Sequence, residues 1–251
     1  MSKKVWIIGA SSGIGKALSL KFSNEGWQVA ASARRESLLK ELNEKNNNIY
    51  PFPLDVSNLE NNQTVFKNIL EKFSDIDLCI FGAAIYDPNY EKEINDKKIR
   101  EIMEVNFFGV VNFIKTVEKY FKLKKNGHIS IISSVAGYRG LPKSEGYGAS
   151  KAAINNLVES LYIDFKKYNV RISLISPGFI KTPMTDKNKF KMPFIKSAEF
   201  AANKIYKGIV HKNSFEIAFP IELVSILKIL RILPYRIYFF LIKILTKNTK
   251  R

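Results

Sequence analysis

The sequence predicts an α/β protein, a doubly wound parallel sheet of about seven strands, with an amphipathic helical tail at the C-terminal end. Short apolar runs alternate with stretches of helical period as far as residue 220, a pattern that gives parallel strands covered on both faces. A glycine turn, Gly9-Ala-Ser-Ser-Gly-Ile-Gly15, joins the first run directly to the first helical stretch. The residues of chemical interest follow the apolar runs, at the carboxyl ends of the predicted strands, where ligands of such sheets bind.

The elements follow in order. Residues 5–8, Val-Trp-Ile-Ile, are predicted as a buried strand, and Lys16 to Phe22 continue in helical period. Residues 27–33 form the second predicted strand, which ends at Arg34-Arg35. Residues 49–54 form the third, closed by Asp55-Val56, and 77–81 the fourth, closed by Gly82-Ala83-Ala84. The fifth is 129–133. The sixth, 170–175, precedes Pro177-Gly178, and 215–219 is the seventh. Helices are predicted over 36–46, 59–73, 95–123 and 147–168. Residues 1–220 are expected to form the dinucleotide-binding catalytic domain and 221–251 a separate basic, apolar tail.

Composition narrows the function classes. The single cysteine, Cys79, excludes an internal disulfide framework and cannot by itself form a zinc site. No metal is expected. The N-terminus runs directly into a strand, so no signal peptide is expected, and the protein is assigned to the cytoplasm. A net charge of +17 over 251 residues calls for anionic ligands, nucleic acid or an anionic membrane. Dispersed basic residues without a recognition motif argue against nucleic acid.

The glycine turn suits a pyrophosphate, because glycines permit close backbone approach and the helix N-terminus presents free N–H groups. Gly9, Ser11, Ser12, Gly13, Ile14 and Gly15 are therefore cofactor candidates. Folds that select the unphosphorylated dinucleotide carry an acid after the second strand. Arg34 and Arg35 stand there instead and suit a phosphate, with Arg34 the expected reader, so NADP is preferred over NAD. Tyr147 and Lys151 lie four apart on a predicted helix and share a face. A neighbouring ammonium favours phenolate and brings the tyrosine toward a working proton donor and acceptor.

Gly9, Gly13 and Gly15; Asp55-Val56; Asn106 in Asn-Phe-Phe-Gly109; Ser134; Tyr147 and Lys151; Pro177-Gly178 and Thr182 occur in an order and spacing that resemble the short-chain dehydrogenase/reductase family over residues 3–220. The resemblance implies a Rossmann-type fold and a catalytic tetrad. Tyr147 would be the general acid in reduction and the base in oxidation, and Lys151 would lower its pKa and hold the nicotinamide ribose. Ser134 would polarise the substrate carbonyl, and Asn106 would position a water relaying protons through Lys151. Asp55 and Val56 would flank the adenine, Thr182 would contact the carboxamide, and Ala83, Pro177, Gly178 and Ile180 would complete the cofactor site. Two departures stand out: Ile8 where threonine is common, and Phe81-Gly-Ala-Ala84 where the family usually has Asn-Asn-Ala-Gly. The expected substrate is a small-molecule carbonyl or secondary alcohol, lipophilic if the tail meets membrane, and the expected assembly a homo-oligomer. A dinucleotide-binding sensor or scaffold, or an epimerase or dehydratase using the same Tyr/Lys pair, are the competing functions.

The tail, 221–251, carries seven Lys/Arg and one Glu, a net +6. Before Pro234, Ser225, Lys228 and Arg231 gather on one side of a helical wheel, opposite Leu223, Ile226, Leu227, Leu230 and Leu233; after it, Arg236, Lys243 and Lys247 share a face. As a transmembrane span its apolar residues would contribute about −5 to −10 kcal/mol, against about +5 to +7 for Arg231 and Arg236. Two short basic amphipathic helices at an anionic membrane interface, over 221–247, are the preferred reading, peripheral rather than spanning. Packing on the protein's own domain or a second subunit is the alternative.

Overall fold

The structure, a computed structural model, describes residues 2–88 and 93–246. Seven strands form one parallel sheet in the order β3-β2-β1-β4-β5-β6-β7: β1 Lys4–Ile8, β2 Gln28–Ser32, β3 Ile49–Pro51, β4 Leu78–Phe81, β5 His128–Ile132, β6 Arg171–Pro177 and β7 Glu216–Phe219. β3 is shorter than predicted, since Pro51 and Pro53 have no N–H to give a ladder.

Strand alternation sorts the core into two layers. Trp6, Ile8, Cys79, Phe81, Ile129 and Ile131 meet α3 (Leu59–Phe73), α5 (Gly109–Lys124) and α6 (Glu145–Lys166). Val5, Ile7, Val29 and Ile80 meet α1 (Gly13–Asn24), α2 (Glu36–Lys45) and α7 (Ala198–Lys207). The strands are therefore apolar on both sides, as a doubly wound sheet requires. From β1 the chain winds outward to β3, then returns to place β4 on the other side of β1. The crevice at that reversal, beyond the strand carboxyl ends, is the natural ligand site of the fold.

The predicted helix over 95–123 is interrupted. α4 (Asp96–Met103) passes into a π-turn at Glu104–Phe108 before α5, and Asn106 sits in that turn. α7 was not predicted, although Ser197 caps it by accepting from Phe200 N–H at 3.1 Å.

The tail forms two helices, α8 (Ile221–Ile232) and α9 (Tyr235–Leu245), broken at Pro234. Their inner face packs on the domain. Leu223 and Val224 join Val135 and Tyr138, while Leu230, Tyr238 and Ile242 cluster with Leu141. Arg139 donates to the carbonyls of Leu230 and Leu233, which α8 leaves unpaired at its end, and stacks on Tyr238. Ile226, grouped on the helical wheel with Leu223 and Leu230, parts from them and faces outward with Ile229, Ile232, Phe239, Phe240 and Ile244. The α8 register buries Val224 in its stead. Lys247 lies outside the described residues. Among those described, no helix is long and apolar enough to cross a membrane.

Candidate active site

A cleft of about 580 Å³ opens where the carboxyl ends of the strands meet. Gly9, immediately after β1, has φ +87°, and its N–H donates to Ser32 O at 2.8 Å. A Cβ there would lie 2.7 Å from Ala83 N and from the Gly82 carbonyl carbon, so only glycine lets the turn approach β4 this closely. A Cβ on Gly15 would stand 2.2 Å from Gly9 O. α1 begins at Gly13 with Ser12 as its N-cap, whose side chain makes no capping bond, and no acid sits in its first turn. The free N–H groups of that end, with the uncovered glycine backbone, fit a pyrophosphate.

Of the residues expected to bind the cofactor, Gly9, Ser11, Ser12, Gly13, Ile14, Gly15, Arg34, Arg35, Val56, Ala83, Tyr147, Lys151, Pro177, Gly178, Ile180 and Thr182 all line the cleft. Asp55 does not. Its carboxylate accepts from the Ser57 hydroxyl at 2.7 Å and the Ser57 N–H at 3.0 Å, bonds that hold it below the usual carboxylate range, with Arg34 adding to the effect. Arg35 rather than Arg34 makes the visible link to the glycine turn, donating to Ser11 Oγ at 2.9 Å and Ser12 Oγ at 3.0 Å. The replaced motif after β4 is accommodated by size. Gly82 N–H donates to Ile8 O at 2.8 Å, and a Cβ at 82 would meet Ile132 Cδ1 at 2.9 Å.

Ser134, Tyr147 and Lys151 stand together in the wall of the cleft. Ser134 Oγ accepts from Ala136 N–H at 3.1 Å and lies 3.4 Å from Pro177 O. Lys151 Nζ donates to Ile132 O at 2.9 Å and sits 5.5 Å from the Tyr147 ring centroid. Ser133 points away, 2.5 Å from Asn155 Oδ1 and 3.2 Å from Lys151 O, and ties β5 to α6. Burial pushes the Tyr147 phenol up to about 12, against a smaller downward pull from the Ser134 hydroxyl, and pushes Lys151 down to about 7. The expected lowering of the phenol by an ammonium is reversed in the protein alone. Lys151 is buried and Tyr147 half-buried in the cleft wall, and desolvation acts against the charged form of each.

Asn106 also differs from expectation. It is fully buried and does not line the cleft. Its Oδ1 accepts from Ile85 N–H at 2.8 Å, and its Nδ2 donates to Ile85 O at 3.0 Å and Ser150 Oγ at 3.1 Å. Ser150 donates in turn to Tyr147 O at 2.8 Å. Asn106 thus braces the cleft residue Ile85 and the start of α6.

Sequence reasoning missed Tyr86. Its ring meets that of Tyr147 edge-on at 5.1 Å, and its hydroxyl donates to Asn188 Oδ1 at 2.7 Å. An aromatic residue just past β4 was the only signal. Ile85, Val105 and Pro183 add apolar lining that spacing did not reveal, beside Met184 from the segment 184–195 expected to cover the substrate. Among the described residues no group of three or more His, Cys, Asp or Glu could hold a metal.

A glycine-lined crevice at the reversal point of a parallel sheet, with Ser, Tyr and Lys in its wall, defines a dinucleotide-binding α/β enzyme. The family model for short chain dehydrogenases matches residues 3–192. An uncharacterised oxidoreductase of Myxococcus xanthus is 31% identical over 232 residues, 91% of this chain and 91% of its own. Two solved structures share the fold: a short chain dehydrogenase/reductase from Burkholderia phymatum in complex with NAD (TM-score 0.82, 22% identity, 90% of this chain and 92% of that one) and ElxO with NADP bound (TM-score 0.78, 26% identity, 87% and 98%). The chain belongs to the short-chain dehydrogenase family and is an NAD(P)-dependent oxidoreductase.

Proposed function

We propose that this enzyme uses NADP to interconvert a carbonyl and a secondary alcohol on a lipophilic molecule, with Tyr147 as general acid and base. The cofactor preference rests on one observation: Arg34 and Arg35 line the cleft at the end of β2, and no carboxylate does. A ribose phosphate would meet two guanidiniums there, one already bonded to the glycine turn.

Held along the glycine turn, Arg34 and Arg35, NADPH would supply the hydride for reduction of the carbonyl carbon. Ser134 holds the carbonyl oxygen, and the Tyr147 O–H, kept protonated at neutral pH by burial, delivers its proton to that oxygen. Lys151, at about 7, exchanges protons near neutral pH and restores the Tyr147 proton. In oxidation the same groups run in reverse. The apolar lining from Ile85, Val105, Pro183 and Met184, with Tyr86 against Tyr147, supports a lipophilic substrate. The outer face of α8 and α9, apolar and accompanied by the exposed cations Arg231, Arg236 and Lys243, supports a peripheral contact with an anionic membrane from which such a substrate is drawn.

Replacing Arg34 and Arg35 together with Asp and Ser tests the cofactor assignment. NADP affinity should fall by roughly 100-fold while NAD affinity holds or improves, since charge-assisted phosphate bonds are each worth about 1.5–3 kcal/mol. Equal losses for both cofactors would remove the arginines as phosphate readers.

A further inference from the structure

A second cavity, of about 250 Å³, lies at the opposite end of the sheet, among the amino ends of β5, β6 and β7. It shares no residue with the catalytic cleft. His128, which opens β5, lines it and is 3% exposed. Its Nε2 lies 2.8 Å from Ser173 Oγ and 3.2 Å from Ser130 Oγ, and the two hydroxyls are 2.7 Å apart.

The triad admits two arrangements of its protons, each with one donor left over, and an acceptor in the cavity selects between them. If Nε2 carried the ring proton, it would donate to Ser173 and Ser173 to Ser130, and the Ser130 proton would then lack an acceptor. With Nε2 bare, Ser130 donates to Ser173 and Ser173 donates to Nε2, so both hydroxyl protons are placed and the donor left over is the ring's own. The ring proton then sits on Nδ1, which is buried and has no hydrogen-bond partner in the protein. A buried donor left in this state needs an acceptor from outside the chain. Burial, and after it the charge of Arg171, pushes His128 down to about 3, so the ring is a neutral donor at physiological pH.

The rim is cationic. Arg171 and Lys166 line the cavity, and neither is ion-paired with a carboxylate among the described residues. Arg171 donates to Asn213 Oδ1, which turns its guanidinium along the rim, and Ser214 adds a hydroxyl. A cation would be repelled here, and an apolar molecule would leave the Nδ1–H unpaired. We propose that this cavity binds a small oxyanion, phosphate or the phosphate group of a metabolite, with His128 Nδ1–H donating at its floor and Arg171 and Lys166 balancing charge at its rim.

The chain has two histidines, so imidazole ¹⁵N spectra of the full-length protein and of His211→Gln assign His128 unambiguously. Inorganic phosphate, titrated at constant ionic strength, should shift the His128 Nδ1–H signal saturably, and chloride should not. In Arg171→Gln/Lys166→Gln the response should be roughly tenfold weaker or more, because two charge-assisted contacts are gone. In Arg34→Gln/Arg35→Gln, which disables phosphate binding in the catalytic cleft, it should persist, so a failure of the cofactor reading leaves this test intact. Glycerol 2-phosphate, run in parallel, separates the sources: tighter binding than phosphate points to a metabolite, and equal or weaker binding to the free ion. Absence of a saturable shift, an undiminished shift without Arg171 and Lys166, or its loss in the Arg34/Arg35 variant would overturn the proposal.

Discussion

Lys151 is a cation by composition and a strained one by position. It is 2% exposed, its amine makes one bond, to a backbone carbonyl, and burial brings it to about 7 from an ordinary 10.5. Its folded value is depressed, so between pH 7 and 10.5 the unfolded chain binds more protons than the folded one, and stability rises with pH across that window. Chemical denaturation of the cofactor-free protein should therefore show stability increasing from pH 7 toward 10, and Lys151→Met should flatten that slope and stabilise the protein near neutral pH. An unchanged slope in Lys151→Met would mean that the amine is not desolvated as described. The same scale shows where sequence reasoning stops. The positions of Ser134, Tyr147 and Lys151 followed from spacing, and the three do stand in one wall. Their proton affinities did not, because desolvation depends on what encloses a group rather than on its neighbour four residues away. The sequence favoured Arg34, nearest the strand end, as the phosphate reader, and only the turn out of β2 sends Arg35 to Ser11 and Ser12.

Among the elements, strands and long helices were legible because their apolar period is set by burial on both sides of a sheet. The π-turn that carries Asn106 was not, since one extra residue per turn leaves no mark on composition. α7 was missed for a different reason: its Ser197 cap is present, but the segment before it has no regular period. The tail helices carry two apolar faces, which a wheel alone could not apportion. Leu223, on the inner face, lies where a Cβ on Gly178 would touch it at 2.7 Å, so that face supports the catalytic cleft. The outer face, with Ile232, Phe239 and Phe240 each more than 60% exposed, is the proposed membrane contact. Ile232→Ser/Phe239→Ser/Phe240→Ser should weaken binding to phosphatidylglycerol vesicles by roughly tenfold or more, with cofactor affinity unchanged, given about 0.8 kcal/mol per buried CH₂. Leu223→Ala should do the opposite, lowering stability by about 2–5 kcal/mol and disturbing the cleft while vesicle binding persists. Vesicle binding that survives loss of the outer face would assign that face to another partner.

For the whole molecule, the parallel sheet sets the division of labour. Carboxyl ends carry the glycine turn, the arginines and the Ser/Tyr/Lys wall, and amino ends carry the His128 cavity. The order of strands places the cleft beside β1 and β4, and α8 braces it from behind through Val135 and Tyr138. Everything proposed for turnover passes through one phenol proton. The direct measurement is carbonyl reduction by Tyr147→Phe beside the parent enzyme, followed by nicotinamide absorbance, with NADPH affinity read separately by fluorescence. NADPH binding should stay within a few fold, because the ring and its packing on Tyr86 are kept, and turnover should fall by roughly 100-fold or more, the scale of a lost general acid. Turnover near that of the parent, with cofactor binding intact, would contradict the assignment of Tyr147 as the proton donor.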